Sequence, residues 1–305
     1  SHFDSAIEYF NMAIRKAKTF KNKMALYNAY NQTGLFFRQN ERFDSTLYYY
    51  EKALKLIDEN STGDRFWLLQ QIAVVNYNLG KFDAAIEYAQ KGIAFSRQVN
   101  MGFINLMAAT LKRTGNVDSA LYYLRQIVQL TDDEENIDKL SAYNNIANIY
   151  GDRGNYPKAL DYYLLTLKTA ERLEHKRAMS VTYNNIAIVY YTLKDYPQTI
   201  KYLLKSLAIS RETKDKANIV NTMNNIGELF LKQDSLEMAL AYYDSATIII
   251  NQINAPYYLT HNYLGKAAIY DKKNMNDSAK YYYLNALELT RQLEAKEEKA
   301  DAHIG

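Results

Sequence analysis

The chain is predicted to be all-α, an α-solenoid of about seven helix pairs behind a leading half repeat. Two observations carry this. A small residue recurs at Ala6, Thr46, Ala85, Ala120, Ala159, Thr199, Ala239 and Ala279, at spacings of 40, 39, 35, 39, 40, 40 and 40. Three residues after every one of these eight anchors stands a tyrosine: Tyr9, Tyr49, Tyr88, Tyr123, Tyr162, Tyr202, Tyr242 and Tyr282. Offsets of 3, 4 and 8 from the anchor, the last reaching Ile14, Leu54, Ile93, Val128, Leu167, Leu207, Thr247 and Leu287, are helix spacings and not strand spacings.

Each anchor helix is preceded by another. Tyr143-Asn-Asn-Ile146-Ala147, Tyr183-Asn-Asn-Ile186-Ala187 and Met223-Asn-Asn-Ile226-Gly227 repeat in phase. Twelve residues before the anchors lie Gly34, Ala73, Ala108, Ala147, Ala187, Gly227 and Ala267, small side chains where two helix axes approach. Gly80, Gly115 and Gly154 fall in the turn, as a left-handed helix C-terminus requires. The second helix opens with Asp44, Asp83, Asp118 or Asp277 at the positive end of the dipole, or with Pro157 or Pro197 in its first turn. The count is one leading second helix and seven pairs, fifteen helices in all. The 35-residue interval between Ala85 and Ala120, with a break at 99–102, predicts shorter helices there and a subdivision into 1–98 and 99–305 within a single array over 1–305. Residues 299–305 align with the start of a further first helix, so the chain reads as a fragment of a larger protein.

Tyr143, Ile146, Ala147, Tyr150, Ala159 and Tyr163 resemble, in order, the pattern of the tetratricopeptide repeat family, and the resemblance recurs along the whole chain. The period of about 40 exceeds the family's usual 34 or so, and the terminal Pro is replaced by residues such as Glu171, Arg211 and Arg291. Both departures resemble the long-repeat members. The resemblance implies a right-handed superhelix whose first helices line a concave groove. One helix pair cannot bury both of its apolar faces, so neighbours must stack.

Composition narrows the function. The 37 Lys and Arg against 34 Asp and Glu leave a net charge of +3, which by itself points to neither nucleic acid nor membrane. No run reaches the roughly 18 apolar residues of a membrane span. Zero Cys excludes a disulfide framework, a thiolate metal site and a Cys nucleophile, and leaves cytoplasm or periplasm open. His2, His175, His261 and His303 occupy unrelated repeat positions, and no metal-ligand spacing, Ser-His-Asp grouping or phosphate loop occurs, so neither a catalytic residue nor a cofactor nor a metal is expected. The run Asp132–Glu135 reads as a solvated linker. Trp67 is expected at the groove edge of the second pair. The tyrosine stripes sit among apolar residues and lack interleaved cations, which reads as core and not as a base-stacking surface.

The candidate site is an amide ladder on the first helices: Asn31, Gln70, Asn105, Asn144, Asn145, Asn148, Asn184, Asn185, Asn224 and Asn225. Asn is a poor interior-helix residue, and a carboxamide donates to and accepts from a peptide backbone at once. By the resemblance these amides face the groove and hold an extended protein or peptide segment, non-catalytically; the alternative from the residues is that they bond to the neighbouring repeat and fix the stacking. If Arg38, Lys112, Arg113, Lys232 and Lys272 cluster, the ligand is acidic. A second hypothesis is sensory. Tyr-rich arrays resemble the repeat regions of bacterial transcription regulators and sensor kinases, which control an attached output domain by ligand binding or self-association; the pheromone-binding regulators of the Rap type are a narrower version.

Overall fold

The computed structural model describes residues 2–40, 42–58, 61–95, 100–131, 136–253 and 255–302, except for the side chains of residues 2, 4, 62 and 293–302. The described residues form fifteen helices and no strand. A leading helix α1 (His2–Thr19) is followed by the pairs α2 (Lys23–Gln39) and α3 (Phe43–Leu54), α4 (Thr62–Asn78) and α5 (Phe82–Phe95), and α6 (Met101–Arg113) and α7 (Val117–Leu130). Then come α8 (Ile137–Asp152) and α9 (Tyr156–Arg172), α10 (Lys176–Thr192) and α11 (Tyr196–Glu212), α12 (Lys216–Lys232) and α13 (Leu236–Ile253), and α14 (Tyr257–Lys272) and α15 (Asn276–Ala302). The phased anchors thus mark the second helix of every pair.

The chain divides into two compact units, Ser1–Leu130 and Thr131–Lys299. The division falls beside the acidic run 132–135, which lies outside the described residues, as does Val99. The irregular interval lies inside the first unit. There α5, α6 and α7 have 14, 13 and 14 residues, against 17 in each of α9 to α12, the shortening expected from the lost turn. Asn100 caps α6, its side chain accepting from the Phe103 amide at 3.2 Å. The ring of Phe103 then fills the space over Gly92, where a Cβ would lie 2.0 Å from Cζ, and meets Phe66 edge-on at 5.1 Å.

Side-chain caps start α8 to α12 in the second unit. Asn155, Asp195 and Asp215 accept from Lys158, Gln198 and Asn218 amides at 3.3, 3.1 and 3.1 Å, and His175 Nδ1 accepts from the Ala178 amide at 3.2 Å. The turns inside the pairs use left-handed backbone at Gly80, Gly115 and Gly154, as expected, and in phase with Gly154 also at Lys194, Asp234 and Asn274, with φ of 61°, 61° and 56°. The sequence offers no glycine at those three, and only Asp and Asn adopt this conformation with some ease.

The core forms where the small residues were placed. Ala85, Ala120, Ala159 and Ala239 are fully buried, as are Ala73, Ala147, Ala187 and Ala267. At the glycines the contact is different from a small-on-small approach: the space over Gly34 and Gly227 is taken by the rings of Tyr50 and Tyr243, each four residues after its anchor. Burying such a ring contributes about 1.5–3 kcal/mol. The phased tyrosines are half-buried apart from the exposed Tyr9. Five stack on an aromatic twelve residues earlier: Phe37–Tyr49, Tyr150–Tyr162, Tyr190–Tyr202, Phe230–Tyr242 and Tyr270–Tyr282, with ring centroids 5.4–5.8 Å apart and planes within 20°.

The end of the chain departs from the expectation of a further first helix. α15 runs unbroken through Ala302. The cap position held by Asn136, His175 and Asp215 in earlier repeats is Ala295 here, and the stretch around it is rich in Glu, Lys, Leu and Ala. Without a capping side chain or a turn residue, continuing one helix costs less than nucleating another. Residues 303–305 lie outside the described residues.

Candidate binding face

The amide doublets come together on α8, α10 and α12, in the second unit. Their identical phase, two residues ahead of the fully buried Ile146, Ile186 and Ile226, brings the second amide of one first helix beside the first amide of the preceding one. Asn185 Nδ2 donates to Asn144 Oδ1 at 3.4 Å, and Asn225 Nδ2 donates to Asn184 Oδ1 at 3.0 Å. The next rung is made by Asn262 on α14, which donates to Asn224 Oδ1 at 3.1 Å and to the Tyr243 carbonyl at 2.8 Å, and accepts from Thr247 at 3.0 Å. Asn184, Asn224 and Asn262 are buried. The first amides of the α10 and α12 doublets therefore sit inside the stack, while Asn144, Asn145, Asn185 and Asn225 are half-buried at its surface.

The other predicted residues are placed differently. Asn148 accepts from the Tyr163 hydroxyl at 2.6 Å within its own pair. Asn31 Nδ2 reaches the Tyr27 hydroxyl at 3.5 Å, and its Oδ1 is buried without a partner among the described residues. Gln70 packs its amide over Gly102, and Asn105 is half-buried on α6. Trp67 packs edge-on against the buried Tyr50, at 5.5 Å. Of the five cations whose clustering would imply an acidic ligand, Arg38 donates to Gln71 and Lys272 pairs with Asp234 at 2.7 Å.

Two cavities open on the first helices of this unit. One, of about 350 Å³, lies between α8 and α10; Asn144, Asn145, Ser141, Val181, His175 and Arg177 are among its lining residues. The other, of about 330 Å³, lies between α10 and α12, with Ala187, Ile188, Tyr191, Thr192, Thr199, Leu203, Asn225 and Glu228 around it. In the second, Glu228 accepts from Tyr191 and sits 3.4 Å from Nε2 of His261 on α14. The hydrogen bond from His261, aided by that from Tyr191, holds the Glu228 carboxyl below the usual carboxylate range although its burial acts the other way. Burial, then the Glu228 charge, pushes the Tyr191 hydroxyl up to about 12.

The sequence pattern missed Tyr191, Glu228 and His261. The available signal was the position after the Ile-Ala/Gly core pair, which carries Asn148, Ile188, Glu228 and Ala268 in successive repeats: the face that changes while the core stays fixed. It also missed a buried polar cluster in which Asn218 Nδ2 donates to Ser210 and Ser180 at 2.7 and 3.0 Å, and Lys266, which stands where the three preceding repeats have Ile146, Ile186 and Ile226. Lys266 is buried and pairs with Asp244 and Thr247, both at 2.8 Å. Among the described residues no group of three or more His, Cys, Asp or Glu could hold a metal ion, and no helix is long and apolar enough to cross a membrane.

A stack of helix pairs with recessed, amide-lined cavities on its first helices defines a helical-repeat scaffold. Tetratricopeptide repeat models match residues 101–172 and 178–252, and 68–98. The chain belongs to the tetratricopeptide repeat family. A comparison with curated protein sequences finds no match. Among solved structures it is similar to aspartyl phosphate phosphatase F from Bacillus subtilis (TM-score 0.69, 13% identity, covering 92% of this chain and 74% of that one). It is also similar to a Rap protein complexed with Competence and Sporulation Factor (0.61, 16%, 90% and 78%). A third is a signal transduction ATPase with numerous domains from Pyrococcus horikoshii, which carries a tetratricopeptide repeat sensor (0.64, 18%, 91% and 45%). At these identities the likeness is one of fold.

Proposed function

We propose that the second unit is a non-catalytic binding module whose first-helix face holds an extended protein or peptide segment. The observation that carries this reading is the open edge of the ladder: half-buried Asn144 and Asn145 line the first cavity and half-buried Asn225 lines the second, one repeat apart. Asn145 lines the first cavity and carries no hydrogen bond among the described residues, so its donor and acceptor are both available to a peptide backbone. The Rap likeness, in which the partner is a separate factor, supports the same reading.

The test is a selection of peptides from a random-sequence display library on the whole chain, followed by affinity measurements on Asn145→Ala. Loss of about tenfold in affinity with an unchanged melting temperature is expected, since a peptide-facing amide is worth about 1–1.5 kcal/mol and no internal bond is removed. Selected peptides that bind the variant equally well refute the groove assignment. A second, sensory reading is favoured by the likeness to a repeat sensor within a multidomain signalling ATPase. A helix-turn-helix or kinase domain in the same reading frame would support it.

A further inference from the structure

We propose that the cavity between α10 and α12 is a subsite for a guanidinium group, the side chain of an arginine in the bound segment. The proposal rests on the groove reading above and gives that groove its chemistry.

The argument is a count of donors. Thr192 Oγ1 donates to the Ile188 carbonyl at 2.9 Å and Thr199 Oγ1 donates to the Asp195 carbonyl at 2.8 Å. Asn225 Nδ2 gives one of its two N–H donors to Asn184. The Tyr191 hydroxyl donates to Glu228. Every hydroxyl proton on the cavity wall is thus already directed at the protein, and the oxygens of Thr192, Thr199, Tyr191 and Asn225 remain as acceptors. Glu228 adds a carboxylate with about four acceptor positions, of which His261 and Tyr191 take two. Acceptors thus outnumber the one remaining Asn225 N–H around the Glu228 carboxylate, whose charge His261 and Lys232 offset only in part, and the ligand group that complements such a wall is a cation rich in donors. Guanidinium has five N–H donors in a plane, against three on an ammonium, and is more weakly hydrated, so it enters a recess at lower desolvation cost. Ile188 and Leu203 line the same cavity and offer apolar surface for the methylene stem. A volume of about 330 Å³ lies at the lower end of ligand pockets, suited to one side chain and not to a cofactor.

The probe is N-acetyl-arginine amide, titrated into the full chain with labelled isoleucine and leucine methyl groups. Saturable shifts at Ile188 and Leu203 are expected. Binding should weaken about tenfold or more in Glu228→Gln and for the citrulline analogue, which keeps the shape and loses the charge; the lysine analogue should bind more weakly than arginine. Glu228 is partly exposed, so Gln is accommodated, and the citrulline comparison needs no variant at all. The absence of a saturable shift, equal binding of the citrulline or lysine analogue, or an unchanged Glu228→Gln overturns the assignment. Library-selected peptides that depend on Asn145 but carry no basic residue would sink this inference while leaving the groove reading intact.

Discussion

In the second unit, Asn185 and Asn225 donate to Asn144 and Asn184 of the preceding repeat. In the first unit the same two positions carry Asn31-Gln32, Gln70-Gln71 and Asn105-Leu106, and the first helices α2 and α4 are joined instead by Arg38 donating to Gln71. The aromatic stacks divide the same way. Phe37 supports Tyr49, but the matching slots for Tyr88 and Tyr123 hold Asn76 and Leu111, and the Tyr88 hydroxyl turns to Glu51 at 3.2 Å. The difference teaches that an amide doublet is not sufficient: Asn31-Gln32 and Gln70-Gln71 stand in consecutive first helices, yet no amide–amide rung joins them among the described residues, whereas the asparagine doublets at a strict 40-residue period are joined. Where the doublet lapses, as at Leu264-Gly265, an asparagine outside the register, Asn262, restores the bond.

This comparison can be broken at its tightest point first. Gly92→Ala puts a methyl into the buried Phe103 ring of the irregular interval, and about 3 kcal/mol of stability should be lost by denaturant melting. The loss should be much smaller for Gly227→Ala, whose Cβ would meet Tyr243 at 3.0 Å. Next is the rung itself. Asn262→Ala leaves the buried Asn224 acceptor without its donor and should cost about 2 kcal/mol, while Asn31→Ala in the first unit should cost about 0.5 kcal/mol, read by the same melts. Equal costs would erase the distinction between the units. Lys266→Ile restores the residue type of Ile146, Ile186 and Ile226 and frees a half-exposed Asp244; a gain of about 1 kcal/mol is expected, and a loss would show that the buried pair is needed for packing. The smallest effect belongs to the turns. Lys194→Gly should add about 0.5–1 kcal/mol by relieving left-handed backbone that Gly154 already accommodates one repeat earlier.

Much of the architecture was legible because it is periodic. The helix count, the pairing, the buried small residues and the Asp and Pro starts of second helices all follow from positions that recur every 39 or 40 residues, with one interval of 35. The left-handed turns at Lys194, Asp234 and Asn274 were hidden because no glycine marks them, and the unbroken α15 because the signal was an absence: Ala295 in a capping position. The site was half legible. The ladder residues are periodic, but their split into stacked and surface-facing amides depends on which helix precedes which. Glu228, Tyr191 and His261 come from three helices at unlike repeat positions, so no spacing could have joined them. The family match ends at residue 252, just before the pair in which Lys266 and Leu264-Gly265 replace the usual isoleucine and asparagines.

The rungs also bear on how the second unit should respond to force. Each is a single directional bond between neighbouring hairpins, whereas the stacked rings lie inside a hairpin and tolerate sliding. Pulled end to end, this segment should lengthen in discrete steps of one hairpin, each step breaking an Asn–Asn link together with the packing and the Asn218–Ser180 or Lys272–Asp234 contacts that join the same neighbours.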